Sequence, residues 1–144
     1  MGNGIAPLAY HERIVSKESI MIDHVSIATH DLQRAVDFYT ACLAPLGYSV
    51  QHQDAGQAIF GTDGKWSFAI YPAQGDEPLV GQRAHVAISA PSQLATHAFH
   101  EHAVAGGAVS LRKPGLRPDV NERYFGTMIT DPDRHTIEVV HWLG

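Results

Sequence analysis

Three side chains in this sequence are of the types that together hold a divalent cation: His24, His85 and Glu138. Two imidazole nitrogens and a carboxylate suit Zn²⁺, Fe²⁺, Mn²⁺ or Ni²⁺, and three protein ligands leave positions open for water or substrate. Glu138 alternates with Ile137 and Val139, so on a strand it faces away from them while still having apolar neighbours. An ionised carboxylate in such a place needs a salt bridge, a hydrogen-bond donor or a cation, because leaving it unpaired costs several kcal/mol. The set therefore has two readings, a working metal site or a cavity in which the three residues only hydrogen-bond.

The three are far apart in the chain, and what links them is a repeat. His24-Val25-Ser26-Ile27-Ala28 returns 61 residues later as His85-Val86-Ala87-Ile88-Ser89, and Phe38 and Phe99 each follow their histidine by 14 residues. Strand, turn and helix stay in register, which marks a duplication. Val25, Ile27, Val86 and Ile88 share the face that packs on helices, and both histidines look the other way. Equivalent strands of the two modules are expected to meet around one cavity.

The elements that must position these residues follow in the same order twice. After the first strand, Asp31 caps a helix with an apolar stripe of Leu32, Ala35, Val36, Phe38, Tyr39, Cys42 and Leu43, closed by Pro45 and Gly47. Strands are expected near 48–52, 57–61 and 65–71, with a turn at Thr62-Asp63-Gly64. Residues 73–83 read as a linker. Ser92 then caps a second helix that Gly106-Gly107 stops, and strands follow near 108–112, 124–130 and 136–142, with a loop at 113–123. The fold class is α+β, with two βαβββ modules over about 21–72 and 84–143 in one domain, 21–144. Residues 1–20 show no sustained period and read as an N-terminal extension, whether an appended segment or an arm on a partner subunit.

Aligning Met128-Ile129 with Ala58-Ile59 gives an offset of 70 and sets Glu138 opposite Phe68. No fourth ligand is then expected there. Phe68 and Trp66 are expected instead to line one wall of the cavity and to receive an apolar part of the substrate.

Composition narrows the partners. The 44% hydrophobic share is that of an ordinary globule, and a formal charge of −5 without a Lys/Arg cluster argues against nucleic acid or an anionic membrane. No apolar run approaches the about 20 residues of a membrane span, so a cytoplasmic location is expected. The single cysteine, Cys42, falls in a helical stripe and offers neither a disulfide nor a metal site. His97, His100, Glu101 and His102 crowd one helix and read as a solvated face, while His135 reads as a turn residue after Asp131-Pro132-Asp133.

His24, the His85 strand, Asp131-Pro132-Asp133 and the Ile137-Glu138 strand together resemble the vicinal oxygen chelate superfamily of glyoxalases, bleomycin-resistance proteins and extradiol dioxygenases. The resemblance implies paired βαβββ modules whose sheets curl into a cup, a divalent metal (Fe, Mn, Ni or Zn) on its inner strands, and a small-molecule substrate that chelates the metal through adjacent oxygens. It also implies a homodimer. Carried onto this chain it makes His24, His85 and Glu138 the metal ligands and Glu138 catalytic, while Arg117 and Arg123 would sit at the cavity rim, suited to a carboxylate or phosphonate. Tyr124, beside them, is the candidate general acid or base. A metal-dependent lyase, thiol transferase or dioxygenase is the first expectation, and a metal-free binding protein of the bleomycin-resistance type the second.

Overall fold

The computed structural model describes residue 22 and residues 24–76 and 78–144, so the expectation for residues 1–20 lies outside the described residues. Local sequence explains both helices. Asp31 is extended and its carboxylate accepts the Arg34 N–H at 3.0 Å, which opens α1 (Leu32–Leu43). Ala35, Val36, Phe38, Tyr39, Cys42 and Leu43 are its buried stripe. A short 3-10 turn, Ala44–Leu46, and Gly47 at φ 88° end it, a left-handed conformation that favours glycine. Ser92 does the same work for α2 (Gln93–Ala105), accepting the Ala95 N–H at 3.1 Å.

In the first module β1 (Val25–Thr29) pairs in parallel with β4 (Lys65–Pro72), which pairs antiparallel with β3 (Gln57–Thr62), and β3 in turn with β2 (Ser49–Asp54). The second module repeats this with β5 (His85–Ser89), β8 (Thr136–Trp142), β7 (Tyr124–Thr130) and β6 (Val109–Leu116). The sheet orders are β1-β4-β3-β2 and β5-β8-β7-β6, so the duplication read from the two histidine strands extends to topology. β6 runs past its expected end at residue 112 and carries Pro114. It is the edge strand of its sheet, where a missing N–H is tolerated, and its pairing shifts between Ser110 and Arg112 and again between Arg112 and Gly115.

The helices pack against each other, and both modules share one apolar cluster, to which Phe38, Tyr39 and Leu43 come from the first and Phe99, Ile129 and Ile137 from the second. The sheet faces that carry the alternate residues are turned away from this core. No helix among the described residues is long and apolar enough to cross a membrane.

A polar corner ties the modules together. Tyr39 donates its hydroxyl to Asp131 Oδ2 at 2.6 Å, and Asp131 Oδ1 accepts the N–H groups of Asp133 and His135 at 2.9 and 2.8 Å. Asp133 takes the Thr29 hydroxyl and the Arg34 guanidinium. His135 closes the Asp131 turn with its backbone, as expected, and its ring is buried, with Nε2 2.6 Å from the Ala28 carbonyl. Burial holds the Asp131 carboxyl above its ordinary range, opposed by the Tyr39 hydroxyl and the His135 N–H. The folded chain thus takes this proton more readily than the unfolded one. The carboxyl's contribution to stability therefore improves as pH falls from neutral through the raised value toward the usual carboxylate range. Tyr39→Phe is expected to cost about 1–2 kcal/mol at neutral pH, where the phenol serves a charged acceptor. In urea denaturation that loss should shrink as the pH is lowered. A loss that grows with acid would contradict this account.

Candidate functional site

Glu138 lies at the centre of the second sheet's open face. Its strand neighbours are Ala87 on β5 and Met128 on β7, and only 7% of the residue is exposed. His85 stands two residues before Ala87 on the same face, and its Nε2 is 3.6 Å from Glu138 Oε2. The other oxygen, Oε1, accepts the Tyr124 hydroxyl at 2.7 Å and Arg112 Nη2 at 2.6 Å. The partner that a buried carboxylate must have is therefore an arginine that sequence reasoning missed. No local sequence signal marks it: Arg112 pairs with Met128, which pairs with Glu138, so the two charges share a face across one intervening strand, in a register that only the folded sheet sets.

Tyr124 meets Trp142 edge to face, with ring centroids 5.1 Å apart. Burial first, then the hydrogen bond and charge of Glu138, push its hydroxyl up to about 12. It is therefore protonated at neutral pH and serves as a donor, which favours general acid over general base among the roles proposed for it.

The remaining residues singled out in the sequence are dispersed. Trp66 is half exposed and stacks on His52, centroids 5.5 Å apart; His52 pairs with Ile59, which pairs with Ala69. Arg117 is held by Asp119, with Nε donating at 2.8 Å, and Arg123 donates Nε to the Leu143 carbonyl at 2.6 Å. Both guanidiniums thus have acceptors close to their own loop. His97 packs on Phe125, and His100 Nε2 lies 2.8 Å from Ser110 Oγ.

Phe68 requires a correction. It lies in the core, 6% exposed, meeting Tyr39 edge to face at 4.9 Å, and lines no wall of the open face. Val25 pairs with Phe68 and its repeat mate Val86 pairs with Ile137, so the residue equivalent to Glu138 is Ala69, partner of Ser26. The offset in the last strands is 69, and a slip of one residue moves every side chain to the opposite face. The fourth ligand position is still without a donor, but because it holds alanine.

The donor set fits a divalent cation in part. The His85–Glu138 separation is close to the about 3.4 Å between two tetrahedral ligands at about 2.1 Å from one ion. His24 immediately precedes β1, in the other module, and among the described residues no three His, Cys, Asp or Glu side chains come together to hold a metal. One chain thus brings together two of the three expected ligands.

The model of the Glyoxalase/Bleomycin resistance protein/Dioxygenase superfamily matches residues 21–139. The chain belongs to this superfamily. Solved structures of the superfamily share its fold. A glyoxalase/bleomycin resistance protein from Albidiferax ferrireducens T118 is 24% identical with a TM-score of 0.76, covering 85% of this chain and 99% of its own. A glyoxalase/bleomycin resistance protein/dioxygenase family enzyme from Burkholderia phytofirmans PsJN is 16% identical with a TM-score of 0.63, covering 84% and 98%. A glyoxalase I mutant from Zea mays is 20% identical with a TM-score of 0.64, covering 82% of this chain and 45% of that one. No curated protein matches the chain. Glu138 is the buried carboxylate on the open face of the second of the two four-stranded sheets.

Proposed function

We propose that this superfamily member is a cytoplasmic, divalent-metal-dependent homodimeric enzyme whose site is completed between copies: His85 and Glu138 from one, His24 from the other. The observation that carries the proposal is the convergence of the exposed His85 Nε2 on Oε2 of the buried Glu138 on the open face of the second sheet, with His24 at the matching place in the other module's sequence. A bound Fe²⁺, Mn²⁺, Ni²⁺ or Zn²⁺ would supply Lewis acidity toward two adjacent oxygens of a small substrate. The chain's own residues do the rest. Arg112 and Tyr124 donate to Oε1 while Oε2 faces His85, the protonated Tyr124 hydroxyl is a donor beside the site, and Trp66 and Trp142 present aromatic surfaces. The reaction is of lyase, thiol-transferase or dioxygenase type.

A second reading, a metal-free binding protein, is favoured by one observation: Glu138 already has a cation in Arg112. The two are separated by metal analysis together with a screen of hemithioacetals, fosfomycin with thiols, and catechols with oxygen. The enzyme reading expects a dimer that binds about one metal per chain and turns over one substrate class, with metal lost in His24→Ala and in Glu138→Gln. Metal uptake that is absent, or indifferent to both substitutions, decides for the binding protein.

A further inference from the structure

Arg112 stands where the first module has His52: each follows a register shift in the edge strand of its sheet, between Val50 and His52 and between Ser110 and Arg112, and what differs is the residue type. The ladder of β6 is broken on both sides of it, between Ser110 and Arg112 and between Arg112 and Gly115. Bulges of this kind re-aim a side chain, and Arg112 is aimed across Met128 at Glu138. The floor beneath the guanidinium is kept low by Gly126. A Cβ there would stand 3.6 Å from Arg112 Nη2, 3.1 Å from the Tyr124 ring and 3.0 Å from the Val139 carbonyl oxygen. The guanidinium is nonetheless imperfectly satisfied, because Nε is buried with no hydrogen-bond partner among the described residues. A buried orphan donor opposes folding, and an arginine placed only to staple β6 to β8 has no reason to keep one.

We propose that Arg112 is a built-in counter-cation: it competes with a divalent ion for Glu138 and, when displaced from that carboxylate, becomes the recognition cation for an acidic substrate. The second half rests on the metal-dependent reading given above. Charge is the argument. Glu138 with Arg112 is a neutral pair, so adding a divalent ion leaves the site doubly positive, with a guanidinium beside the ion. That balance weakens the hold on the metal and favours ligands that bring negative charge. The substrate class is thereby narrowed to vicinal-oxygen chelators bearing a carboxylate, phosphonate or similar anion.

Isothermal titration of the full chain with Co²⁺, followed by oxalate or diacetyl, tests this. The two probes are small vicinal-oxygen chelators that differ in charge. Arg112→Met is expected to bind Co²⁺ about tenfold tighter than the wild type, since repulsion is removed and the carboxylate is exposed to the ion. The preference for oxalate over diacetyl should fall about tenfold. Circular dichroism verifies folding, and Arg112→Gln, which keeps a polar side chain, replaces Arg112→Met if that variant does not fold. Co²⁺ binding that is unchanged or weaker in the folded variant, or an oxalate preference that survives, overturns the proposal. Co²⁺ uptake by Arg112→Met but not by the wild type would uphold the competition, overturn the metal-dependent reading and with it the recognition role. No uptake by either overturns both.

Discussion

Glu138→Ala is expected to abolish metal uptake and turnover and to destabilise the fold by about 2–4 kcal/mol. The stability loss comes from the group left behind. Removing one partner of a buried ion pair typically costs about 3–5 kcal/mol, and the figure is reduced here because 24% of the Arg112 side chain is exposed and gains some solvation. Tyr124 loses its acceptor in the same change. If Arg112 is stranded in this way, Glu138→Ala combined with Arg112→Met should recover most of the lost stability in urea denaturation, to within about 1 kcal/mol of the wild type, while metal uptake stays abolished. A single substitution costing under about 0.5 kcal/mol would mean that Arg112 finds another acceptor and that the pair is not a feature of the fold. The recovery separates the two roles of Glu138, since only one of them is restored by removing the arginine.

Much of this site is legible in the amino-acid sequence, and the reason is periodicity. The repeated His-Val-x-Ile strand specifies which face each histidine takes, because a strand has only two faces, and Glu138 has to point away from Ile137 and Val139 for the same reason. Helix caps at Asp31 and Ser92 are readable because each satisfies its own first turn locally. What is not legible depends on contacts between distant segments. Arg112 reaches Glu138 across β7, in a register that shifts on both sides of it in β6 and that no local pattern specifies. His135 reads as a turn residue because its backbone does close the Asp131 turn, while its ring is buried against β1 of the other module. The packing of α1 on α2, which joins both modules in one apolar core without gathering His24, His85 and Glu138 into one cluster, is likewise set by tertiary contacts that no local pattern specifies.

Phe68 shows how narrow the margin is, and it carries the other large expected effect. Matching the second module's turn to the first with an offset of 70 puts Phe68 on the open face; the parallel pairing of Val25 with Phe68 shows the offset to be 69. A bulge between Phe60 and Gly61 absorbs the extra residue near the hairpin, where Asp63 and Gly64 both take positive φ. The ring consequently fills the core between Tyr39 and Phe60, at centroid distances of 4.9 and 6.3 Å. Phe68→Ala should therefore cost about 3–5 kcal/mol in urea denaturation, the price of a cavity against Tyr39, with Co²⁺ affinity unchanged. Trp66→Ala is the contrast: half exposed and stacked only on His52 among the described ring contacts, it should change stability by under about 0.5 kcal/mol. Any loss of ligand affinity belongs with Trp66, because it shares the open face with His52 while Phe68 is on the other side of the same sheet. The reverse pattern, with Phe68→Ala stable but impaired in ligand binding, would restore the offset of 70 and return Phe68 to the wall of the cup.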